Sequence, residues 1–257
     1  MNWKFKNLFS FPAFKKTTIL FLGVVFFFVS ALGVSAQKRF SKTYPASKNV
    51  RLQLLNRTGT VEVEGWDRAE VKISADLESS ATVIAPQNLS GTIYINLVKD
   101  NQGRNDVGYA NFKIKVPYSS SVDIETLMGN LIVNNIGGGL VRAHITSEGD
   151  ITLTNISAGA VSAENTIGNI FFDGEIRSSG IYRFTSTRGD INLRIPIDSS
   201  FRLIATAPSS RNIALGPFSS GNMRFFGDGR RVVGQASDGS ASLTVTNQRG
   251  SISFIRR

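Results

Sequence analysis

Six times along the chain a glycine follows a polar residue three positions back and precedes apolar residues two and four positions on. The six sets are Asn56, Gly59, Val61 and Val63; Thr126, Gly129, Leu131 and Val133; Thr146, Gly149, Ile151 and Leu153; Asn165, Gly168, Ile170 and Phe172; Ser186, Gly189, Ile191 and Leu193; and Asn247, Gly250, Ile252 and Phe254. The four central glycines are spaced by 20, 19 and 21 residues, a period that marks a repeated structural unit. Alternation on both sides of each glycine is that of β-strands, whose successive side chains point to opposite faces. Before the glycine the same face is set by Leu52 and Leu54, Val122 and Ile124, Val161 and Ala163, Tyr182 and Phe184, and Leu243 and Val245. The Gly149 copy breaks the pattern: its equivalent positions hold Arg142 and His144, while Val141, Ala143 and Ile145 have the opposite parity. Either a one-residue bulge returns the apolar set to the core or this strand exposes a basic face; the bulge is favoured, because unpaired arginine is almost never buried.

Each unit therefore reads as strand, tight turn at the glycine, strand and second turn, the last marked by Asn135, Asn155, Gly174 or Gly65. A single unit cannot bury its own apolar face, so the units are expected to stack with equivalent strands about 4.8 Å apart. The fold predicted is an all-β, single-domain β-solenoid or right-handed parallel β-helix of roughly 20-residue, two-strand units. Gly59, Gly129, Gly149, Gly168, Gly189 and Gly250 are its structural turn glycines, and the Thr, Asn or Ser three residues earlier is expected to bond to the neighbouring turn as a ladder. Regular repeats occupy 122–197, an irregular excursion 208–234, and a last unit 241–255. Glu70 to Leu77, Gly91 to Val98 and Asn111 to Pro117 read as further strands, and Asp100 to Gly108 as a mobile loop.

The first 36 residues differ from the rest. Met1 to Lys16 is basic, Ile19 to Val29 is uninterrupted and apolar, and Gly33-Val34-Ser35-Ala36 precedes Gln37. That order predicts a secretory signal peptide over 1–36 cleaved after Ala36, leaving a β-repeat domain over 37–257 that begins at Gln37. The alternative is an uncleaved membrane anchor, because residues 17–36 carry no charge and about 20 such residues span a bilayer. Membrane contact is expected only in that case. Export places the domain in the periplasm, on the cell surface or in the medium.

Together, Gly59 to Asp67 (which contains Gly65-Trp66-Asp67), the strand ends Val116-Pro117 and Ile195-Pro196, and the Thr/Asn-x-x-Gly-Asp/Asn-Ile units resemble the bacterial putative-adhesin family of β-strand-repeat domains. The head domains of autotransporter adhesins are similar. The resemblance covers 48–255 and implies a right-handed, mostly parallel β-helix on the exported side of a membrane. It supplies no catalytic motif.

Composition narrows the chemistry. Among 257 residues there is no Cys and one His, which removes disulfides, thiolate nucleophiles and multi-histidine metal centres; neither cofactor nor metal is expected. Glycosidase chemistry would require two carboxylates roughly 5–10 Å apart across a groove. The pairs Asp173 with Glu175 and Glu148 with Asp150 share a strand face by parity, as solvated charges commonly do. Calcium held by Asp150 and Asp190 is disfavoured, because the register sets them two units, about 9–10 Å, apart. The 25 bases and 19 acids after residue 36 could favour anionic surfaces, but the bases are scattered through the sequence. Trp66, Tyr94, Tyr109, Phe171 and Phe226 are the aromatics to examine for glycan contact. The function expected is a non-enzymatic, adhesive or structural module of the cell envelope. Its partner would be an envelope polymer, glycan or protein rather than nucleic acid. A β-helical carbohydrate-active enzyme and a membrane-anchored envelope-stress or signalling accessory are the alternatives.

Overall fold

The computed structural model describes residues 38–220 and 222–257; the leader and its Ala36–Gln37 junction lie outside them. Period-2 patterning is realised as two large sheets. The first has the order β1 (Lys38–Pro45), β4 (Glu70–Leu77), β7 (Ala110–Pro117), β3 (Val61–Trp66), β9 (Leu131–Ile136), β11 (Ile151–Ile156), β13 (Ile170–Gly174), β15 (Ile191–Ile195), β21 (Ile252–Arg256), β17 (Ile213–Ala214). The second runs β18 (Asn222–Phe226), β19 (Arg231–Ala236), β16 (Phe201–Thr206), β20 (Ala241–Arg249), β14 (Ile181–Arg188), β12 (Ala160–Ile167), β10 (Leu140–Glu148), β8 (Ser121–Met128), β2 (Arg51–Thr58), β6 (Thr92–Asn96), β5 (Gln87–Leu89).

From β8 to β15 consecutive strands alternate between the sheets, so each repeat gives one strand to each. Equivalent strands pair in parallel. Across the second sheet Val122, Val141, Val161, Tyr182 and Leu243 align in register, and across the first Leu131, Ile151, Ile170, Ile191 and Ile252 do so. All ten are buried. Each is worth about 1.5–3 kcal/mol of hydrophobic stabilisation, and the rows continue into a shared core where Phe172 packs 5.1 Å from Phe184 and 6.3 Å from Tyr182. The β10 irregularity lies between Ile145 and Glu148, and this shift keeps Val141, Ala143 and Ile145 on the buried face.

The glycines form a column. At Gly168, φ is +130°, and an added Cβ would lie 2.1 Å from the Gly149 carbonyl oxygen; at Gly189, φ is +131°, and the gap to the Gly168 oxygen would be 2.0 Å. Side chains are excluded there by both backbone conformation and the next unit's backbone. Three residues earlier, buried polar side chains bond to the neighbouring corner. Asn165 donates to the Gly149 carbonyl (3.2 Å), Ser186 to that of Gly168 (3.4 Å) and Asn247 to that of Gly189 (2.7 Å). The expected ladder is broken at one place. Because of the shift in β10, Ile145 rather than Thr146 stands opposite Thr126 and Asn165, and Thr146 is exposed.

The sheets are mostly parallel, and antiparallel pairing is confined to their ends. β1 runs antiparallel to β4 and β4 to β7 at one end of the first sheet; β16, β19 and β18 form an antiparallel series at one end of the second, and β5 runs antiparallel to β6 at the other. The excursion after residue 208 supplies β17, a 3₁₀ turn at Gly216–Phe218, β18 and β19. Residues 102–106 are exposed, and the segment is anchored on either side of them by the buried Asn101 and Val107. A single turn of helix, α1 (Leu97–Asp100), precedes Asn101, which is buried and donates to the carbonyls of Val83 (2.8 Å) and Leu97 (2.9 Å).

Candidate binding surfaces

The apolar half of the repeat strands is spent on the core, so the chemistry available to a ligand there lies on the two outer sheet faces and the corners. At the glycine corner the residue following each glycine forms a second ladder. The Asn130 side-chain oxygen accepts from the Asp150 amide (2.9 Å), Asp150 from the Asn169 amide (2.6 Å), Asn169 from the Asp190 amide (2.9 Å), and Asp190 from the Ser251 amide (2.7 Å). Asp150 and Asp190 are therefore turn residues whose oxygens already serve backbone donors. The opposite corner carries Asn135 and Asn155 at positive φ, joined by a side-chain hydrogen bond of 2.9 Å. Among the described residues no group of three His, Asp or Glu is placed to hold a metal ion.

On the first sheet, Lys115 pairs with Glu64 at 2.9 Å and Lys113 with Glu62 at 3.8 Å across β7 and β3. Trp66 is half-buried, its indole N–H donates to the Glu70 carbonyl (2.9 Å), and Arg68 and Lys115 lie over its ring. Phe171 points outward and is half-buried between Thr152 and Asn192, with the Arg194 guanidinium 5.8 Å from its ring centre. The side chain of Asp173 is only 5 % exposed and is bridged by Arg194 and by Arg257 Nε at 3.1 Å. Its carboxylate raises the Arg194 pKa further above an already high value by direct hydrogen bonding and by charge, so that guanidinium stays ionised. Glu175 lies past the end of β13 and is exposed while Asp173 is buried, so the two do not share the strand face that parity gave them. Glu148 and Asp150 are likewise split by the Gly149 corner.

On the second sheet, Asp123 is 13 % exposed and sits between Arg51 (3.1 Å) and Arg142 (3.1 Å), which also reaches Glu125 at 3.3 Å. His144 lies on the same face between Glu125 and Glu164. This end of the sheet is a neutralised ion network. Toward β18 the face changes character: Ile204 and Phe226 are exposed, as are Arg183, Arg202, Arg224 and Arg231. Tyr94 is half-buried opposite Gln53, and Tyr109 is exposed beside the loop after α1. Phe226 is thus the one sequence-nominated aromatic found on this basic end.

The fold is similar to that of a putative cell adhesion protein from Clostridium sporogenes: TM-score 0.50, 11% identity, covering 86% of this chain and 100% of that one. A putative adhesin from Bacteroides fragilis (TM-score 0.39, 10% identity, 87% of this chain and 100% of that) and a putative lipid binding protein from Parabacteroides distasonis (TM-score 0.34, 12% identity, 85% and 94%) match less well. No family model and no curated protein matches the chain. The all-β fold expected from the repeat thus has a counterpart among solved structures.

Proposed function

We propose that the chain is an exported β-solenoid module of the bacterial cell envelope that binds a polymer or protein partner without catalysing its turnover. The strands alternating between sheets, with a period near 20 residues, are read as successive coils of a right-handed solenoid, and the leader over 1–36 as a signal peptide removed after Ala36. One observation carries the non-enzymatic reading: the acids that sequence parity offered for catalysis are already engaged or separated. Asp173 is buried and bridged by two arginines, Asp150 serves a neighbouring amide, Glu175 is exposed beyond β13, and Glu148 lies on the other side of the Gly149 corner from Asp150. A general acid or base needs a carboxyl group within reach of substrate and free to exchange its proton.

The test is a panel of envelope polysaccharides and peptides incubated with the purified protein and analysed for both retention and cleavage. Retention with unchanged polymer length supports the reading. Saturable cleavage abolished by a single carboxylate substitution contradicts it. N-terminal sequencing of the exported protein tests the leader: a Gln37 start supports cleavage, and an intact Met1 start contradicts it.

A further inference from the structure

The five strands β14, β20, β16, β19 and β18 contain no Asp or Glu, yet Arg183, Arg202, Arg231 and Arg224 project from one outer face of them. Register fixes that arrangement. Arg183 stands opposite Thr244, Thr244 opposite Ile204, Ile204 opposite Val233, and Val233 opposite Arg224, a line across five strands with an arginine at each end. Four strand spacings make that line about 19 Å long. On one flank lie Ser242, Arg202, Gln235 and Asn222, and on the other Thr246, Thr206, Arg231 and Phe226.

Among the described residues none of these four guanidinium groups makes an ion pair; every pair on this sheet's outer face belongs to β2, β8 and β10. Of the acids in the corners that bound these strands, Asp238 is turned to the hydroxyl of Ser200 and the amide of Ser240, and Asp228 lies in the turn between β18 and β19. An open groove of about 760 Å³ covers the β16, β19 and β18 part of the patch, lined by Arg202, Ile204, Arg224, Phe226, Val233 and Gln235.

We propose that this face binds an acidic polysaccharide, with its carboxylates on Arg183, Arg202, Arg224 and Arg231 and its ring faces on Ile204, Val233 and Phe226. The inference rests on the reading of the chain as a non-catalytic binding module and names the ligand class. Four unpartnered cations across the face match a polymer with repeated charge better than a ligand with one anionic group. Guanidinium groups take carboxylates in bidentate geometry. The apolar side chains between the arginines distinguish the ligand further: a pyranose ring offers C–H faces to them, whereas a bare phosphate chain offers none. Hydroxyl and amide groups of Ser242, Thr244 and Gln235 are placed for sugar hydroxyls.

Binding of polygalacturonate to the purified full chain by titration calorimetry tests this, with dextran, polyphosphate, single-stranded DNA and phosphatidylglycerol vesicles as competing probes. Polygalacturonate should bind more tightly than every other probe, and added salt should weaken it. The double variant Arg202→Ala/Arg224→Ala should bind roughly tenfold more weakly, the scale of two exposed ion pairs. Lys113→Ala/Lys115→Ala removes the same charge from the other sheet and should change binding less than about twofold; circular dichroism checks that both variants fold. Equal weakening in the two double variants, or tighter binding of polyphosphate, DNA or vesicles, overturns the assignment. Polymer recovered intact without binding overturns it while leaving the non-catalytic reading in place; shortened polymer overturns both.

Discussion

Replacing Gly168 by alanine perturbs the stack where it is least able to yield. The new methyl would lie 2.1 Å from the Gly149 carbonyl oxygen and 2.7 Å from its carbon, and the residue would sit at φ +130°. That conformation alone costs an L-residue about 1–3 kcal/mol. Relieving the overlap needs a shift of roughly 1 Å between two units whose cores interlock, and forcing atoms into a close-packed interior costs a further 1–3 kcal/mol or so. The sum, about 2–6 kcal/mol, is a large share of the 5–15 kcal/mol typical of a folded domain. Gly159 is the control, since its nearest new neighbour is the Gly139 oxygen at 3.8 Å and its φ is not in the left-handed range. Gly159→Ala should be neutral or stabilising by about 0.4–1 kcal/mol, because alanine narrows the unfolded ensemble. Urea unfolding followed by far-ultraviolet circular dichroism measures both, the comparison resting on midpoints at unchanged slope. If Gly168→Ala unfolds within about 1 kcal/mol of Gly159→Ala, the glycine column does not set the spacing of the units and the steric reasoning is wrong.

Three further outcomes follow from particular contacts. Asn165→Ala removes the bond to the Gly149 carbonyl and should cost about 1–2 kcal/mol in urea unfolding, whereas Thr146→Ala, at the exposed position, should change it by less than about 0.5 kcal/mol. Tyr182→Phe should cost about 1–2 kcal/mol, since its hydroxyl meets the Arg177 amide (2.8 Å) and the Ala158 carbonyl (3.1 Å). Burial raises the Tyr182 pKa against the opposing Arg177 hydrogen bond, so the fold favours the protonated phenol. Its contribution is present below the unfolded value of about 10 and is lost as pH rises through the higher folded value. Alkaline unfolding should therefore be blunted in Tyr182→Phe. Asp173→Ala strands Arg194 and Arg257; those side chains are 43% and 32% exposed, so water can take them up, and the expected loss is about 1–3 kcal/mol rather than that of a fully buried pair.

The central units were legible because their signal is local. Alternating Val, Ile and Leu around a glycine defines strand, corner and buried face within eight residues, and the apolar run Val141, Ala143, Ile145 pointed to the irregularity in β10. What that irregularity did to Thr146 was not legible, since it depends on the residues opposite Ile145 in neighbouring strands. β1 was missed because Lys38 to Pro45 sends only Phe40 and Tyr44 toward the core and otherwise presents charged or polar side chains to solvent. β18 and β19 sit among glycines and arginines without clean alternation, and their pairing is set by β16.

The basic face was hidden for a topological reason. Arg183, Arg202, Arg224 and Arg231 are scattered over nearly fifty positions, and β20 enters between β14 and β16 although it follows both in the chain. Reading the arginines as scattered was right along the sequence and wrong across the sheet. The paired network of Arg51, Asp123 and Arg142 was invisible for the same reason.

Everything proposed for the outer faces depends on the units being stacked in one register, and the absence of cysteine makes that directly measurable. Ile132 and Thr152 are register partners on adjacent parallel strands of the first sheet, whereas Thr154 lies two residues further along the same face. The in-register pair should have Cα atoms about 4.8 Å apart, and the diagonal pair about 8 Å, beyond disulfide reach. Under mild oxidation, Ile132→Cys/Thr152→Cys should close an intramolecular disulfide and Ile132→Cys/Thr154→Cys should remain reduced. A diagonal pair that closes as readily as the in-register pair, or an in-register pair that stays open, would contradict the stacked register on which the account stands.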